Sequence, residues 1–547
     1  MMTLPKTHKI ILSFLTTCFI ISPPVDAAPE NSLTTIVEAG QIAEHPIKQL
    51  LSQDKRYSSD TIAFYKENGY QSAWMSGNNL NHAGEIALEV LKNADKEGLN
   101  PTDYEAAEKA VKNNLPSEEI DVILTNEFIR YIDDVRVGRI PPSHTARIIK
   151  ITSPHTTPVK LLQEALKDSS GEKLRQMAPT IPDYQVLKKA LADYRILGQQ
   201  APLPEITKAL LKLGTKDQDV VNLRVILHTY GDYKGDNLTS TEYDKEIETA
   251  VKLFQKRHFI DQTGIVSDQT RKALNTPLND LINKIIVNME RLRWLPDDHI
   301  TTRYVLVNVG GYEVKAYTDN HLDLRIKAIV GKETTKTPLF YAPLKNVIVN
   351  PSWGVPHSIL MRDKLPKILH DPSYVHRAGF TVYDSNDNVI DPDQADWTHE
   401  GSNYHLRQSP GAHNALGRIK LNIENPYTIY LHGTPDEKLF DKTVRNYSSG
   451  CIRLQKPAEL ASWVLNNNTK YSVDELDTII KHGATVSLPL QEQINVYFTY
   501  QTVWQGDEGE IYFSPDAYKL DPTLKQLLNS DLKRAVETTH GVKSRYA

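Results

Sequence analysis

Cysteine is scarce in this chain, which has two cysteines among 547 residues. So few cysteines exclude a disulfide scaffold and argue against a multi-cysteine metal site. An excess of positive charge is also lacking: 63 basic residues face 68 acidic ones, and the net charge of -5 excludes a strongly basic nucleic-acid binder. No apolar run reaches the roughly 20 residues needed to cross a bilayer. The remaining composition, 40% hydrophobic and 24% charged, is that of a globular protein of about three or four domains.

The N-terminal segment, residues 1–27, has the composition of a secretion signal. A basic stretch precedes the apolar run 10–21, and small residues, Val25 and Ala27, follow where signal peptidase requires them. We expect cleavage after Ala27 and export of the mature chain. Two alternatives stay open: a lipoprotein lipidated at Cys18, and an uncleaved N-terminal anchor.

Cleavage there would leave Cys451 as the one cysteine of the mature chain. Thiols outside the cytoplasm tend to be oxidised into pairs, and Cys451 has no partner in its own chain. It is therefore either a buried inert thiol, as most free cysteines are, or a catalytic nucleophile. The neighbouring sequence has to distinguish the two.

Hydrophobic periodicity divides the mature chain into regions. Residues 28–205 have helical spacing and indicate a helical scaffold, and a compact helical unit, 206–280, follows. A linker helix, 281–302, is predicted to lead into a β-rich domain, 303–490. Residues 491–547 are predicted to form a C-terminal extension. The predicted fold class is multidomain α+β, in which the β-rich domain is a sandwich or barrel with helical additions.

The β-rich domain has recognisable strands and one unusual segment. Strands are predicted over 303–309, 312–318, 322–330, 346–350 and 427–432. Helical patterns return at 457–465 and 473–480. Residues 353–404 are longer and more irregular than a strand connection requires, and loops of this length are often lids.

The predicted strand 427–432 carries one candidate for chemistry. Its period of two places Tyr430 and His432 on the same face, and His432 stands where the strand gives way to a Gly-Thr-Pro turn. A histidine in this position is either an ordinary surface or core residue or a base for a nearby nucleophile.

The segment 448–454, Ser-Ser-Gly-Cys-Ile-Arg-Leu, carries the other candidate. Gly450 permits a tight turn, and the backbone N–H groups of Ser449, Gly450 and Cys451 can form an anion-accepting pocket. Such a pocket suits acyl transfer, in which a thiol attacks a carbonyl and N–H groups hold the oxyanion. Because only the thiolate is strongly nucleophilic, the thiol needs a base, and His432 is the best-placed candidate in the sequence.

Together the two segments resemble a known signature. His432-Gly433-Thr434, then 13 intervening residues, then Ser448-Ser449-Gly450-Cys451-Ile452-Arg453 is similar to the motif of the L,D-transpeptidase (YkuD-type) catalytic domain. The commoner form has histidine where this chain has Ser449, which leaves His432 as the only nearby base of the motif. The Ser-Ser-Gly-Cys form resembles the large Gram-negative YcbB-like subgroup. Further segments agree with that subgroup: 64–74, 137–141, 329–338, 350–356 and 405–417.

Part of the compact helical unit resembles a three-helix peptidoglycan-binding module. The similarity lies in the run 250–255, the turn 264–266 and the helix 270–274. A glycine that is usual in the family's loop is absent, and Val266-Ser267-Asp268 stands in its place. The resemblance therefore implies the fold of the module more strongly than it implies wall binding.

The resemblance to L,D-transpeptidases implies a mechanism. Cys451 would attack the carbonyl between diaminopimelate and the terminal D-Ala of a tetrapeptide stem and release D-Ala, while His432 would accept the thiol proton and later activate the incoming amine. The amine of a second diaminopimelate would take the acyl group, giving a 3→3 cross-link in the periplasm, and carbapenems would acylate Cys451. Residues 353–404 would cap the cleft. Substrate-binding or loop-shaping candidates are Tyr430, Gly433, Ser448, Ser449, Gly450 and Arg453.

The expected partners are peptidoglycan stem peptides, and other cell-wall synthesis enzymes are candidate partners. We expect no cofactor, no metal, no nucleic acid and no stable membrane span after cleavage. Variants of the same chemistry stay open: an L,D-carboxypeptidase, a lipoprotein-anchoring enzyme or a D-amino-acid exchanger. A non-catalytic wall-binding scaffold also stays open. Two rival enzyme classes have weaker support. A zinc peptidase would need at least three ligands. A penicillin-binding enzyme would need a Lys-Thr-Gly after a Ser-x-x-Lys match, and none follows the matches in this chain.

Overall fold

The computed structural model describes residues 45–151, 156–200, 202–296, 300, 302–399, 401–465 and 470–530. The predicted secretion signal and Cys18 lie outside this part of the chain. No helix within it is both long and apolar enough to span a membrane.

Helices build the N-terminal region. The longest, Ser117–Arg136, buries an apolar stripe together with Asp121, whose carboxylate accepts backbone N–H bonds from Trp74 and Met75 at 2.8 and 3.0 Å. This carboxylate ties a short β-turn to the helix, which explains why a charged residue is tolerated in the core. The helices are α1 (Pro46–Gln53), α2 (Ser59–Glu67), α3 (His82–Lys92), α4 (Ala106–Lys112), α5 (Ser117–Arg136), α6 (Pro158–Leu166), α7 (Glu172–Arg175) and α8 (Pro182–Gly198), and the short strands are β1 (Met75–Ser76) and β2 (Asn79–Leu80).

The next unit has a hydrophobic core of its own, formed by α9 (Gln218–Thr229), α10 (Lys245–Arg257) and α11 (Asp268–Leu274). The buried amide of Gln255 accepts from the N–H of Gly264 and donates to the carbonyl of Ile265, each at 2.9 Å. These bonds fix the predicted turn between α10 and α11. Gly264 has a φ of +67°, which favours glycine at this position.

The segment predicted as a linker helix over 281–302 contains a helix, α12 (Leu278–Arg293), whose C-terminal half is buried. Two of its arginines form buried ion pairs, Arg293 with Glu290 at 2.8 Å and Arg291 with Asp521 at 2.6 Å. These charged residues are tolerated in the interior because each finds a partner there.

The C-terminal half contains a closed sheet. Its strands follow the order β11-β12-β13-β5-β4-β3-β15-β6, and β6 also pairs with β11, which closes the ring, while β14 adds to β6. The predicted fold class, multidomain α+β with a β-rich barrel or sandwich, is confirmed. The strands are β3 (Arg303–Asn308), β4 (Glu313–Thr318), β5 (His321–Ile329), β6 (Tyr341–Val349), β7 (Trp353–Gly354), β8 (Phe380–Tyr383), β9 (Val389–Ile390), β10 (His405–Gln408), β11 (Ile419–Ile423), β12 (Tyr430–His432), β13 (Ile452–Leu454), β14 (Val486–Pro489), β15 (Asn495–Thr499), β16 (Val503–Gln505) and β17 (Ile511–Phe513).

The sheet corrects the predicted end of the β-rich domain. Residue 490 was the expected boundary, but β15 lies beyond it and is an internal strand between β3 and β6. Every residue of β15 is buried, so the strand lacks the alternation of polar and apolar residues that marks a half-buried strand in sequence. Strand β12 is also shorter than predicted, because Thr428 has a φ of +56° and breaks the extended conformation.

Residues between β6 and β11 form a substructure with its own core and sheet. The sheet order is β7-β10-β8-β9, and the core is built around aromatic residues such as Trp353, Phe380 and Trp397. We call residues 353–404 the insert. The remaining helices are α13 (His357–Ile359), α14 (Leu365–His370), α15 (Tyr374–Arg377), α16 (Pro457–Leu465), α17 (Val473–His482) and α18 (Asp521–Asn529).

Candidate active site

Two neighbouring strands bring the histidine and cysteine segments together. Strands β12 and β13 pair in parallel, with Leu431 opposite Ile452 and His432 opposite Arg453. Cys451 directly precedes β13 and therefore lies beside Tyr430, while His432 follows on the same face of β12. The geometry places the thiol, the phenol and the imidazole on one side of the sheet.

The Cys451 thiol is a free, partly exposed group. Its Sγ donates to the backbone oxygen of Thr428 at 3.6 Å. The φ of +56° at Thr428 is strained for a β-branched residue, and such strain is concentrated at functional sites. Burial raises the pKa of the Cys451 thiol, although hydrogen bonds with Tyr430 and the charge of Lys420 oppose the rise.

His432 is a neutral base that a backbone carbonyl orients. The side chain is 5% exposed, and its Nδ1 donates to the carbonyl oxygen of Gly433 at 2.6 Å, so Nε2 carries the free lone pair. Burial lowers the pKa of His432 to about 3, and the charge of Arg453 adds to the effect. Among the described residues no hydrogen bond joins the Cys451 Sγ to this ring. Thiol and imidazole therefore rest as two neutral groups rather than as an ion pair.

The loop before Cys451 is held by its own side chains. Gly450 has a φ of +124°, which requires glycine, and its N–H donates to the Ser448 Oγ at 3.1 Å. Ser448 also donates to the Cys451 carbonyl at 2.5 Å, and Thr337 donates to the Gly450 carbonyl at 2.7 Å. The predicted anion-accepting pocket uses the backbone N–H groups of Ser449, Gly450 and Cys451. Because the Gly450 N–H is already bonded to Ser448, it is not free to contribute to this pocket.

Two more predicted site residues have polar partners. Arg453 pairs with Asp436 at 3.2 Å. The exposed Ser449 accepts a hydrogen bond at its Oγ from Arg362 of the insert, at 2.8 Å. Ser449, which replaces the usual histidine of the motif, therefore links the loop to the insert.

Close packing of the turn after His432 requires glycine at position 417. A Cβ on Gly417 would lie 2.7 Å from the Gly433 carbonyl carbon, and Gly417 has a φ of +65°. Gly417 thus allows the segment before β11 to support the turn that orients the imidazole.

Sequence reasoning missed Lys420 and the roles of Trp353 and Thr428. Lys420 lies opposite His432 in the antiparallel pair β11–β12, and its Nζ is 4.2 Å from the centroid of the Tyr430 ring. Trp353, from the insert, lines the same cleft as Tyr430. No signal in the sequence could have identified Lys420, because strand β11 was not among the predicted strands and its pairing is a long-range contact.

These residues line a cleft of about 840 Å³ between the closed sheet and the insert. The cleft is strongly cationic, since seven basic side chains face two carboxylates, Asp363 and Asp436. An anionic ligand would enter such a cleft favourably. The basic residues are Lys332, Arg362, Lys364, Lys367, Arg377, Lys420 and Arg453.

Comparison with protein families assigns the region that contains this cleft. Residues 302–480 match the model of the L,D-transpeptidase catalytic domain. The chain carries an L,D-transpeptidase catalytic domain. The resemblance inferred from the two motif segments is thus confirmed, and the cleft belongs to that domain. Residues 59–191 match a scaffold domain, and residues 216–274 match the model described as "Putative peptidoglycan binding domain".

A curated relative is described as "Putative L,D-transpeptidase" from Haemophilus influenzae. It is 35% identical over 286 residues, which are 52% of this chain and 57% of that protein, so the chain spans little more than half of the relative's length. Two solved L,D-transpeptidases are similar to this chain, one from Xylanimonas cellulosilytica at 14% identity and one from Stackebrandtia nassauensis at 13%. Each match covers 55% of this chain. The matches cover 100% and 97% of the two solved chains, respectively. Their TM-scores are 0.18 and 0.20.

Proposed function

We propose that this protein is a periplasmic L,D-transpeptidase that forms 3→3 cross-links between peptidoglycan stems through an acyl-enzyme on Cys451. The observation that carries the proposal is the parallel pairing of β12 and β13, which places Cys451, Tyr430 and His432 on one wall of the cationic cleft. The matched L,D-transpeptidase domain supports the reaction class.

The first half-reaction follows from the neutral state of both groups. As Sγ attacks the carbonyl carbon between diaminopimelate and D-Ala, the unprotonated Nε2 of His432 takes the thiol proton. The C–N bond then breaks, and the same proton passes to the nitrogen of the departing D-Ala. The Tyr430 hydroxyl, whose pKa burial raises, stays protonated and can donate a hydrogen bond beside the sulfur.

The second half-reaction reverses these roles. The side-chain amine of a second diaminopimelate attacks the thioester carbon, and His432 accepts a proton from that amine. The C–S bond breaks, and the proton returns to the sulfur as the new amide forms. Water in place of the amine would make the enzyme an L,D-carboxypeptidase, so access of the acceptor stem decides between the two activities.

The charge of the cleft supports a stem peptide as the substrate. Stem peptides carry carboxylates on their backbone terminus and side chains, and the cleft offers an excess of basic groups. The matched peptidoglycan-binding domain supports the same substrate, because it would hold the enzyme on the cell wall.

The test is incubation of purified sacculi with the mature protein, followed by mass spectrometry of the released muropeptides. Wild type is expected to produce dimers linked between two diaminopimelates and free D-Ala, and Cys451→Ala should produce neither. D-Ala release without dimers would favour the carboxypeptidase, and transfer to a lipoprotein or a free D-amino acid would favour the other variants. Activity that survives in Cys451→Ala would refute the proposal.

We further propose that the insert, residues 353–404, caps the cleft. Insert residues supply one wall, and Arg362 ties that wall to the catalytic loop through its hydrogen bond to Ser449. Arg362 is also held by Asp363 at 2.7 Å, so the donor is already positioned by the insert.

Arg362→Ala should therefore expose Cys451. Loss of one charge-assisted hydrogen bond is expected to speed alkylation of the thiol by up to about tenfold, because the closed state loses part of its stabilisation. Intact-mass spectrometry over time with iodoacetamide measures the rate. Arg377→Ala is the matched control, since Arg377 is an insert arginine that pairs with Asp371 rather than with the loop. Equal rates in wild type and Arg362→Ala would argue against the cap.

A further inference from the structure

One cation of the cleft stands apart from the others by its position. Lys420 is half-buried in the middle of β11, directly opposite His432, and its ammonium group packs over the ring of Tyr430 with 4.2 Å between Nζ and the ring centroid. Tyr430 in turn contacts Cys451. The ammonium is thereby fixed beside the nucleophile by an aromatic ring rather than by a carboxylate.

Two of the other cations that line the cleft have carboxylate partners. Arg453 pairs with Asp436, and Arg362 pairs with Asp363. No carboxylate among the described residues lies within ion-pair distance of Lys420. Withdrawing a cation from water without an anionic partner is costly, and burial accordingly lowers the pKa of Lys420. A partner that arrives with the substrate would repay this cost.

The chemistry of the proposed donor supplies such a partner at the correct range. The α-carboxylate of the terminal D-Ala is separated from the scissile carbonyl carbon by one nitrogen and one Cα, which places the carboxylate carbon about 3–4 Å from that carbon. The scissile carbon must touch the sulfur of Cys451 in the reaction. Lys420 lies opposite His432 in the strand pair, and its ammonium packs over Tyr430, which lies beside Cys451, so the ammonium is on the side of the sheet that carries the thiol.

We propose that Lys420 is the specificity-determining residue that binds the α-carboxylate of the D-Ala released from the donor stem. The inference rests on the proposed function and deepens it, since it names the group on the donor that the site recognises. A donor without a carboxylate at this position, such as a stem extended by one residue or capped as an amide, would lose the interaction.

The experiment compares two tetrapeptide donors, one with a free terminal carboxylate and one with a terminal carboxamide, at saturating acceptor. Release of D-Ala or D-alaninamide is followed by mass spectrometry with the full mature protein. Lys420→Met is expected to lower kcat/KM for the free acid by about 10- to 100-fold, mostly through KM, and to leave the amide within about threefold. Lys420→Arg should restore part of the loss for the free acid, because the positive charge is kept.

Lys345→Met is the matched control. Lys345 is an exposed lysine on β6, which pairs with β11, and it does not line the cleft. It should leave both donors unaffected, which separates the removal of a charge near the nucleophile from the removal of a lysine from the same sheet. Thermal unfolding of each variant confirms that the variants are folded.

The possible failures are distinguishable. An equal loss of kcat/KM for the acid and the amide would mean that Lys420 acts on the thiol or the imidazole. No loss for either donor would mean that Lys420 has no role. Both results overturn the inference, while the proposed function stands. A third donor, with lysine in place of diaminopimelate, lacks the side-chain carboxylate but keeps the terminal one. If the effect of Lys420→Met disappears with this donor, Lys420 binds the side-chain carboxylate instead, and the inference is overturned. No release by wild type from any donor would overturn the proposed function, and the inference with it.

Discussion

Replacing His432 with glutamine is expected to lower kcat/KM for D-Ala release by on the order of 10²- to 10⁴-fold. Glutamine can still donate to the Gly433 carbonyl, which now accepts from Nδ1 at 2.6 Å, but it has no atom basic enough to take the thiol proton. The thiol itself should remain accessible, so alkylation of Cys451 at high pH should match wild type. A loss of less than tenfold would mean that another group is the base.

The pH dependence of the same variant reports the resting protonation states. In wild type the pKa of His432 is about 3 and that of the thiol is raised, so kcat/KM should be level from about pH 5 to pH 8. In His432→Gln only the thiolate can attack, and the residual rate should rise about tenfold per pH unit over the same range. A bell-shaped wild-type profile between pH 5 and 8 would instead indicate a thiolate–imidazolium pair and would contradict the neutral dyad.

The second large effect concerns stability in acid. His432 has a folded-state pKa of about 3 against about 6.5 in the unfolded chain, because burial disfavours the imidazolium. The unfolded state therefore binds the proton first, and the stability that neutral His432 contributes is complete above about pH 6.5 and is lost as the pH falls toward 3. Between pH 7 and pH 4.5 the loss amounts to roughly 2–3 kcal/mol.

His432→Gln should abolish this part of the acid sensitivity. Denaturant unfolding at pH 7 and pH 4.5 is the measurement, and the variant is expected to lose roughly 2–3 kcal/mol less than wild type on acidification. The buried His258, whose pKa burial also lowers, titrates in both proteins and cancels in the comparison. An exposed histidine replaced in the same way, His399→Gln, provides the control and should behave as wild type. Equal acid sensitivity in wild type and His432→Gln would show that His432 is not held neutral by burial.

The sequence alone was sufficient to propose where the chemistry lies. His432 and Cys451 stand in short segments with local requirements, such as the positive φ of Gly450, and local requirements can be recognised in sequence. The helices of the N-terminal region and the strands β3 to β5 were likewise predicted from hydrophobic period, because each buries one face or stripe. The family resemblance rested on the same local segments.

Tertiary structure decided what depends on partners far away in the chain. The pKa values of His432 and Cys451 follow from burial and from charges on β11 and β13. Strand β15 escaped prediction because all of its residues are buried. Helix α12 was predicted, but the partners of its buried arginines are set only by folding. Lys420 reaches the site through strand pairing alone. Sequence fixes which groups can react, but only folding sets their charge states and neighbours, since desolvation and Coulomb energy depend on three-dimensional surroundings.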